Sequence, residues 1–318
     1  MNRKQLFNIL KIVISLVLLA FIFYSIDTQA LIEVLKAADP AWLVAATVVM
    51  FITVVVRAWR WQILLTSIGV PVPIGELTAI YLIGFLFNNL LPSGLGGDAI
   101  RGIEINRYSE RISDTITSLV VERFLGLFAL QTIALIALVT NWGTVPNAVG
   151  YFTIAIFFGG LVGGALLINR SLYLKLRQQV GPFRWLTEKK AIGNMFESFQ
   201  RYPLPALGGA YLVSVLFNLI HIAMYMFIGF AVRAPVSPVQ YAIIVPITSL
   251  VLLIPISFAG LGLRENAFQQ LYGQIGVLPE VAVAMSLLVY VIGNVCTGIV
   301  GGVVYLMRGA RNVVSENR

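Results

Sequence analysis

Apolar residues occupy this sequence in long blocks, and the polar positions fall between the blocks rather than alternating with them. A strand or an amphipathic surface helix would interleave the two kinds of residue, so blocks of this length predict helices that are apolar all round, as in lipid. Six blocks read as full spans: 12–26, 41–65, 114–139, 148–168, 204–232 and 281–307. Two more, 77–91 and 239–254, stop at Pro92 and Pro255, short of the ~20 residues that a crossing needs. Each is followed by a glycine-rich turn and a charged stretch, which predicts a re-entrant broken hairpin. A helix broken at membrane depth frees backbone N–H and C=O groups, tolerated only where they are buried in protein or face a polar cavity. The breaks are therefore candidate binding sites.

Composition agrees with this pattern. At 58% hydrophobic and 11% charged residues, the chain predicts an all-α polytopic membrane protein, a single integral membrane domain over 1–318. Cys296 lies alone in an apolar block and there is one histidine, so neither a disulfide framework nor a metal or cofactor site is expected. The formal charge of +8 does not point to nucleic acid, because the basic residues sit in short loops flanking the spans, as orientation signals do. Their expected partner is the anionic inner leaflet.

The same charges set an orientation. Arg3, Lys4 and Lys11 precede the first block, which lacks a convincing cleavage site and is read as a retained span. The loop 27–39, with three acids and one base, is expected outside. Arg57, Trp59, Arg60 and Trp61 close the second span like an aromatic and basic anchor at the inner interface. Residues 98–111 predict an amphipathic helix returning to the cytoplasmic side, and 170–203, with seven basic residues against two acidic, a cytoplasmic basic amphipathic segment. Of the 22 Lys and Arg, all but Lys36, Arg123, Arg233 and Arg264 fall in or beside segments placed inside. The expected location is the bacterial inner membrane, with both termini cytoplasmic.

A shift of 163 residues lays Leu91-Pro92 on Ile254-Pro255, Gly97 on Gly260, Ile100-Arg101 on Leu263-Arg264, and span 41–65 on 204–228. Units 41–140 and 204–307 each read as span, broken hairpin, span. The charge pattern has them enter the membrane from opposite faces, the inverted-repeat architecture of secondary transporters.

Candidate chemistry clusters at the breaks. Asp98 and Arg101, three apart on one helix, follow a glycine-rich turn whose free N–H groups favour anions. Asp98 also fits a helix cap and Arg101 an interface cation, but Arg264 repeats Arg101 in the second unit, and guanidinium suits phosphate through its planar fork. Two such arginines converging predict a headgroup site. Glu122 and Arg123 lie deep in a span, where ionisable residues mark a pathway or a buried pair. As helix neighbours they do not face one another, so the expected partners are Arg101 or Arg264 for Glu122 and Asp98 for Arg123; the network is either structural or part of transport. Arg264-Glu265 reads likewise. Asn88, Asn89, Ser93 and Ser257 complete the expected substrate-binding set, while His221, alone on an apolar face, reads as a satisfied structural histidine. No Ser/His/Asp set, metal cluster or GxxxxGK loop appears, which disfavours an enzyme and ATP-driven transport by this chain.

The stretches Pro92-Ser93-Gly94-Leu95-Gly96-Gly97-Asp98-Ala99-Ile100-Arg101, Val121-Glu122-Arg123 and Pro255 to Glu265 together resemble the signature of the lysylphosphatidylglycerol synthase transmembrane-region family. The resemblance spans nearly the whole chain. It implies a likeness to the flippase half of the bacterial multiple peptide resistance factor, which moves aminoacylated phosphatidylglycerol between leaflets; other members belong to glycolipid or hopanoid pathways. The sequence stops at Arg318 without a synthase domain, which speaks against lipid aminoacylation by this chain. The expectation is lipid translocation of a phosphate-bearing phospholipid or glycolipid. The alternative is a membrane-embedded enzyme or accessory subunit acting on lipid or polyprenyl-phosphate headgroups. Partners expected are membrane lipids, with a second copy or a lipid-modifying synthase as possible protein partners.

Overall fold

The computed structural model describes residues 13–316 apart from positions 19, 23, 25, 91–95, 110–111, 182–183, 186–187, 189–195, 197–198, 254–256 and 258–259. Among the described residues the chain is helical, without strands. Five helices are long and apolar enough to cross a membrane: Pro40–Ser67, Thr115–Thr140, Asn147–Ile168, Leu204–Ala231 and Pro279–Arg308. The sixth expected span, 12–26, lies in part outside the described residues; those described at 13–18, 20–22 and 24 are helical.

In chain order, α1 (Thr28–Lys36) is capped by Asp27, whose carboxylate accepts from the N–H groups of Gln29 and Ala30. Helix α2 (Pro40–Ser67) starts on an Asp39 cap with proline at its first position, which that site tolerates because the missing N–H has no helical partner there. It is followed by α3 (Ile74–Leu90), α4 (Gly96–Ile105), α5 (Ile112–Thr140), α6 (Asn147–Ile168) and α7 (Arg170–Gln179). The second half holds α8 (Leu204–Ala231), α9 (Pro238–Val251), α10 (Leu263–Gly273), α11 (Pro279–Tyr290), a π-helical turn at Val291–Cys296, and α12 (Thr297–Glu316).

Helices α2 and α8, each 28 residues long, form the centre of the fold. Asp39 at the start of α2 donates its N–H to the Ala231 carbonyl at the end of α8, and Arg60 reaches Ser214 further along, so the two run antiparallel. Met50, Val54, Ala58 and Trp61 from α2 and Ile222, Tyr225 and Ile228 from α8 belong to one buried apolar cluster. Around this pair the packing is reciprocal: α3 lies on α12, and α9 lies on α5. Gly301 lets α12 close on α3, since a methyl group there would strike the Leu82 carbonyl. Across the other contact, Leu138 and Val145 cluster with Ile243 and Ile247.

Both short apolar helices end where the sequence predicts a break. Helix α3 covers 17 residues, and α4 packs back against it through Gly97, whose N–H donates to the Asn88 side chain at 2.8 Å. A side chain on Gly97 would collide with the Gly84 carbonyl and with Asn88, so glycine is what allows the approach. Helix α4 is shorter than the expected 98–111: it begins two residues earlier and closes at Ile105, where tighter backbone bonds from Arg107 to Glu104 and from Tyr108 to Ile105 end it. After α9, Gly260 and Gly262 take φ of 78° and 77°, the left-handed side that glycine adopts without steric cost. The Gly262 N–H then donates to Glu265 at 2.7 Å and α10 begins, earlier than the return expected at 268. Within 170–203, α7 has its amide donors capped by Asn169, and Tyr173 stacks on Phe196.

Candidate functional site

The most extensive charge network among the described residues is built on Glu122, a third of the way along α5 and 3% exposed. Its carboxylate accepts from Arg60 at 2.5 Å, from Arg101 at 2.5 Å and from the Tyr81 hydroxyl. Three helices thus satisfy one anion. Arg101 also donates to Asp98 at 3.1 Å, and Asp98 pairs in turn with Arg123. The result is a continuous chain, Arg60–Glu122–Arg101–Asp98–Arg123.

Packing fixes this chain in place. The Arg101 guanidinium lies 3.7 Å from the Tyr81 ring centroid and 4.3 Å from that of Trp61. Trp61 is itself anchored by its indole N–H on Ser118. Gly84 makes room for the Arg101 stem, and Gly126 for the Arg60 head, which a β-carbon there would strike. Asn218 donates to the freed Gly126 carbonyl at 2.9 Å. An ion pair removed from water is offset to the extent that its donors and acceptors are satisfied; here the terminal guanidinium nitrogens and the aromatic faces do this, while the Nε atoms of Arg60 and Arg101 stay buried without a hydrogen bond.

Beside the network is a cavity of about 300 Å³ lined from α2, α3, α4, α5, α8 and α9. Four guanidinium groups, of Arg57, Arg60, Arg101 and Arg123, face two carboxylates, Asp98 and Glu122. Asn88 and Asn218 line it as well. The Arg123 side chain is 45% exposed, so the network reaches the surface there.

Of the expected site residues, Asp98, Arg101, Glu122, Arg123 and Asn88 come together at this cavity. Of the two partners expected for Glu122, Arg101 or Arg264, Arg101 is the one found, joined by Arg60, which was not expected; Arg123 pairs with Asp98 as expected. Asn89 turns elsewhere, donating to the Asn294 carbonyl in the π-helical turn. Ser93 lies outside the described residues. Ser257 is buried with an unpartnered hydroxyl and is not on the cavity wall. The expected convergence of Arg101 and Arg264 does not occur at this cavity. Arg264 donates to Glu265 at 2.7 Å and to Ser286 at 3.2 Å, with its guanidinium 4.3 Å from the Tyr290 ring. Its fork is turned onto a carboxylate that is held in place by the Gly262 N–H.

Arg57 and Arg60 need a second correction, because they are not interface anchors. They sit ten and seven residues before the end of α2, so Arg57 lies about 15 Å inside the helix at 1.5 Å per residue. Helical spacing is the signal that separates them from Trp59: positions 57, 60 and 61 share one face, on which Arg60 and Trp61 are buried, and the exposed Trp59 is off it. His221 also departs from the expectation of a satisfied histidine: it stacks on Phe217, lines the cavity, and leaves Nδ1 buried without a partner.

The fold and site define a polytopic helical membrane protein with a charged cavity among its spans. The chain belongs to the family described as the lysylphosphatidylglycerol synthase TM region, whose model matches residues 8–301. It is similar to a UPF0104 membrane protein of Methanothermobacter thermautotrophicus, 26% identical over 52% of this chain and 48% of that protein. It is also similar to Glycosyltransferase AglD of Haloferax volcanii, 25% identical over 92% of this chain and 53% of that protein. A UPF0104 membrane protein of Methanocaldococcus jannaschii matches at 22% identity over 94% of both chains. The match thus covers about half the length of the first two relatives and nearly all of the third. Family membership ties the chain to membrane-lipid function.

Proposed function

We propose that this protein translocates a phosphate-bearing phospholipid or glycolipid between membrane leaflets, with the headgroup in the cavity and the acyl chains in the surrounding lipid. The observation that carries this reading is the cavity of about 300 Å³ with four arginines against two carboxylates. A phosphate headgroup entering hydrocarbon alone loses its hydration, and fixed guanidinium forks replace that shell with charge-assisted bonds. Arg123, exposed at the rim, is the entry contact, and Arg101, Asp98 and Asn88 shape the wall. Arg264 and Glu265 act outside the cavity, on the position of α10.

The reading includes an inverted repeat of units 41–140 and 204–307, for alternate opening to the two leaflets. The antiparallel run of α2 against α8 and the reciprocal packing of α3 on α12 and α9 on α5 support it. So does the recurrence of element order: a 28-residue helix, a short apolar helix, a short helix and a long helix in each half. Cysteines at Gly75 and Pro235, in a Cys296→Ser background, are expected to react with impermeant reagent from opposite faces; reaction of both from one face would overturn the repeat. A bacterial inner-membrane location with cytoplasmic termini, and a second copy or a lipid-modifying synthase as partner, belong to the same proposal.

The test is leaflet exchange in liposomes containing the purified protein, read by dithionite quenching of labelled phospholipids. Exchange above protein-free vesicles is expected; rates equal to empty vesicles across anionic, zwitterionic and glycolipid probes would refute translocation. The likeness to a protein named as a glycosyltransferase favours a second reading, an enzyme or accessory subunit acting on lipid or polyprenyl-phosphate headgroups. Headgroup turnover without exchange would select that one.

A further inference from the structure

The ion network beside the cavity is closed, and one cation stands outside it. Arg60 and Arg101 each donate to Glu122, while Arg101 and Arg123 share Asp98, so these three guanidinium groups have carboxylate partners. Arg57 has none. Among the described residues its guanidinium makes no hydrogen bond or ion pair, and its Nε is buried and unpartnered. It rests on aromatic faces, 4.3 Å from the Phe217 centroid and 5.7 Å from that of Phe85. The same Phe217 ring stacks on His221 at 5.5 Å, and the Nδ1 of that histidine is likewise buried without a partner. Both residues line the cavity.

Among the described residues their neighbours make no hydrogen bond to the Arg57 Nε or the His221 Nδ1. Asn218 has its amide N–H on the Gly126 carbonyl, and the Ser249 hydroxyl donates to the Val245 carbonyl in its own helix. Arg60, one turn further along α2, adds a like charge. An unpaired cation within a spanning helix is costly, and cation–π contact with two rings recovers only part of that cost. The energetic deficit at Arg57 is the one a bound anion removes, while the closed network contributes shape and positive potential.

We propose that Arg57 and His221, both held on Phe217, form an oxyanion subsite for the phosphate of a lipid headgroup. Arg57 donates to the phosphate oxygens as the principal contact and His221 adds a single N–H or accepts a headgroup hydroxyl; Arg60 and Arg101 position the wall without touching the ligand. This assignment rests on the headgroup reading above and moves the principal contact away from Arg101. The shared chemistry is a phosphate mono- or diester anion, available from a lipid or from free phosphate.

The full-length protein in neutral detergent micelles, titrated with short-chain phosphatidylglycerol, a short-chain neutral glycolipid and inorganic phosphate, tests it. Wild type is expected to bind phosphatidylglycerol and be stabilised by it, with inorganic phosphate at least tenfold weaker. Arg57→Gln should lower that affinity at least tenfold, Arg57→Lys should retain part of it, and His221→Leu should lower it a few-fold. Because Arg57 lacks a protein partner, Arg57→Gln without ligand should melt at or above the wild-type temperature, which a structural arginine would not do. Unchanged phosphatidylglycerol affinity in Arg57→Gln, or a fall in its ligand-free melting temperature, overturns the subsite while leaving the headgroup reading intact. Phosphate binding as tight as the lipid overturns the lipid assignment. Binding of the neutral glycolipid alone, or of no lipid at all, removes the phosphate-headgroup reading itself.

Discussion

The segments that follow the two glycine-rich breaks carry matching sequence and place their ion pairs differently. Arg101 and Arg264 align under the 163-residue shift of the sequence, each on a helix that follows a glycine-rich stretch. Arg101 reaches across helices to Glu122 on α5, which also collects Arg60 from α2 and Tyr81 from α3. Arg264 is satisfied by the next residue in the chain, Glu265, with Ser286 and the Tyr290 ring as its contacts on α11. The first cluster borders the cavity, and the second is enclosed, with both charged side chains under 5% exposed. A repeated motif thus supports a wall between helices on one side and a local lock on the other, and sequence symmetry alone does not assign function to both.

The largest difference should appear when each carboxylate is removed. Glu122→Ala takes the carboxylate from two buried guanidinium groups, leaving Arg60 with none and Arg101 with Asp98 alone, whereas Glu265→Ala takes it from one and releases the Gly262 N–H. Breaking a buried pair from one side costs about 3–5 kcal/mol, so Glu265→Ala falls in that range and Glu122→Ala lies at or above its top. Melting in detergent should drop further for Glu122→Ala. An equal or smaller drop would mean that Arg60 and Arg101 find other partners and that the network is not the tie between helices described above.

Neutralising both members of each pair separates stability from transport. In Arg264→Met/Glu265→Gln, the glutamine keeps the bond to the Gly262 N–H and the apolar methionine fills the enclosed site, a replacement that is often neutral or stabilising for buried pairs. Leaflet exchange should stay within about twofold of wild type, since a 1.4 kcal/mol change in barrier is tenfold in rate. Arg101→Met/Glu122→Gln leaves the net charge of the cavity wall unchanged but removes one guanidinium and one carboxylate from it and leaves Arg60 without an ionised partner, and should slow exchange at least about tenfold by the same relation. Loss of exchange in the Arg264 variant would bring the second cluster into the pathway and restore the symmetric site expected from the repeat.

That expectation shows where the sequence was readable. Span limits follow from block length and proline, so α2, α5, α6 and α8 fall within three residues of their predicted ends. The pairing of Arg123 with Asp98 and of Glu122 with Arg101 follows from helix geometry, which forbids neighbours in mid-helix from meeting. Arg264 and Glu265 escape that rule because they lie in the first turn of α10, where the Glu265 side chain folds back to the open N–H of Gly262 and into reach of Arg264. Arg57 and Arg60 were hidden for a different reason. Basic residues near a span end look like interface anchors, and only the tertiary packing of α5 and α8 against α2 shows that they face inward.

The smallest effects discriminate an enclosed cluster from one beside a cavity. Ser286 accepts from Arg264 at 3.2 Å and donates to Glu265 at 3.2 Å; Ser214 accepts from Arg60 at 3.3 Å and donates to its own helix. Hydrogen bonds to charged groups contribute about 1.5–3 kcal/mol when nothing replaces them. In the enclosed cluster nothing does, so Ser286→Ala should cost an amount in that range. Arg60 lines the cavity, where a water molecule has room and polar partners, so Ser214→Ala should cost about 1 kcal/mol or less. Thermal melts of the two variants read the order directly. If Ser214→Ala is the more damaging, the cavity excludes water at Arg60, and a headgroup entering it would displace nothing and gain correspondingly more from the bare guanidinium groups on its wall.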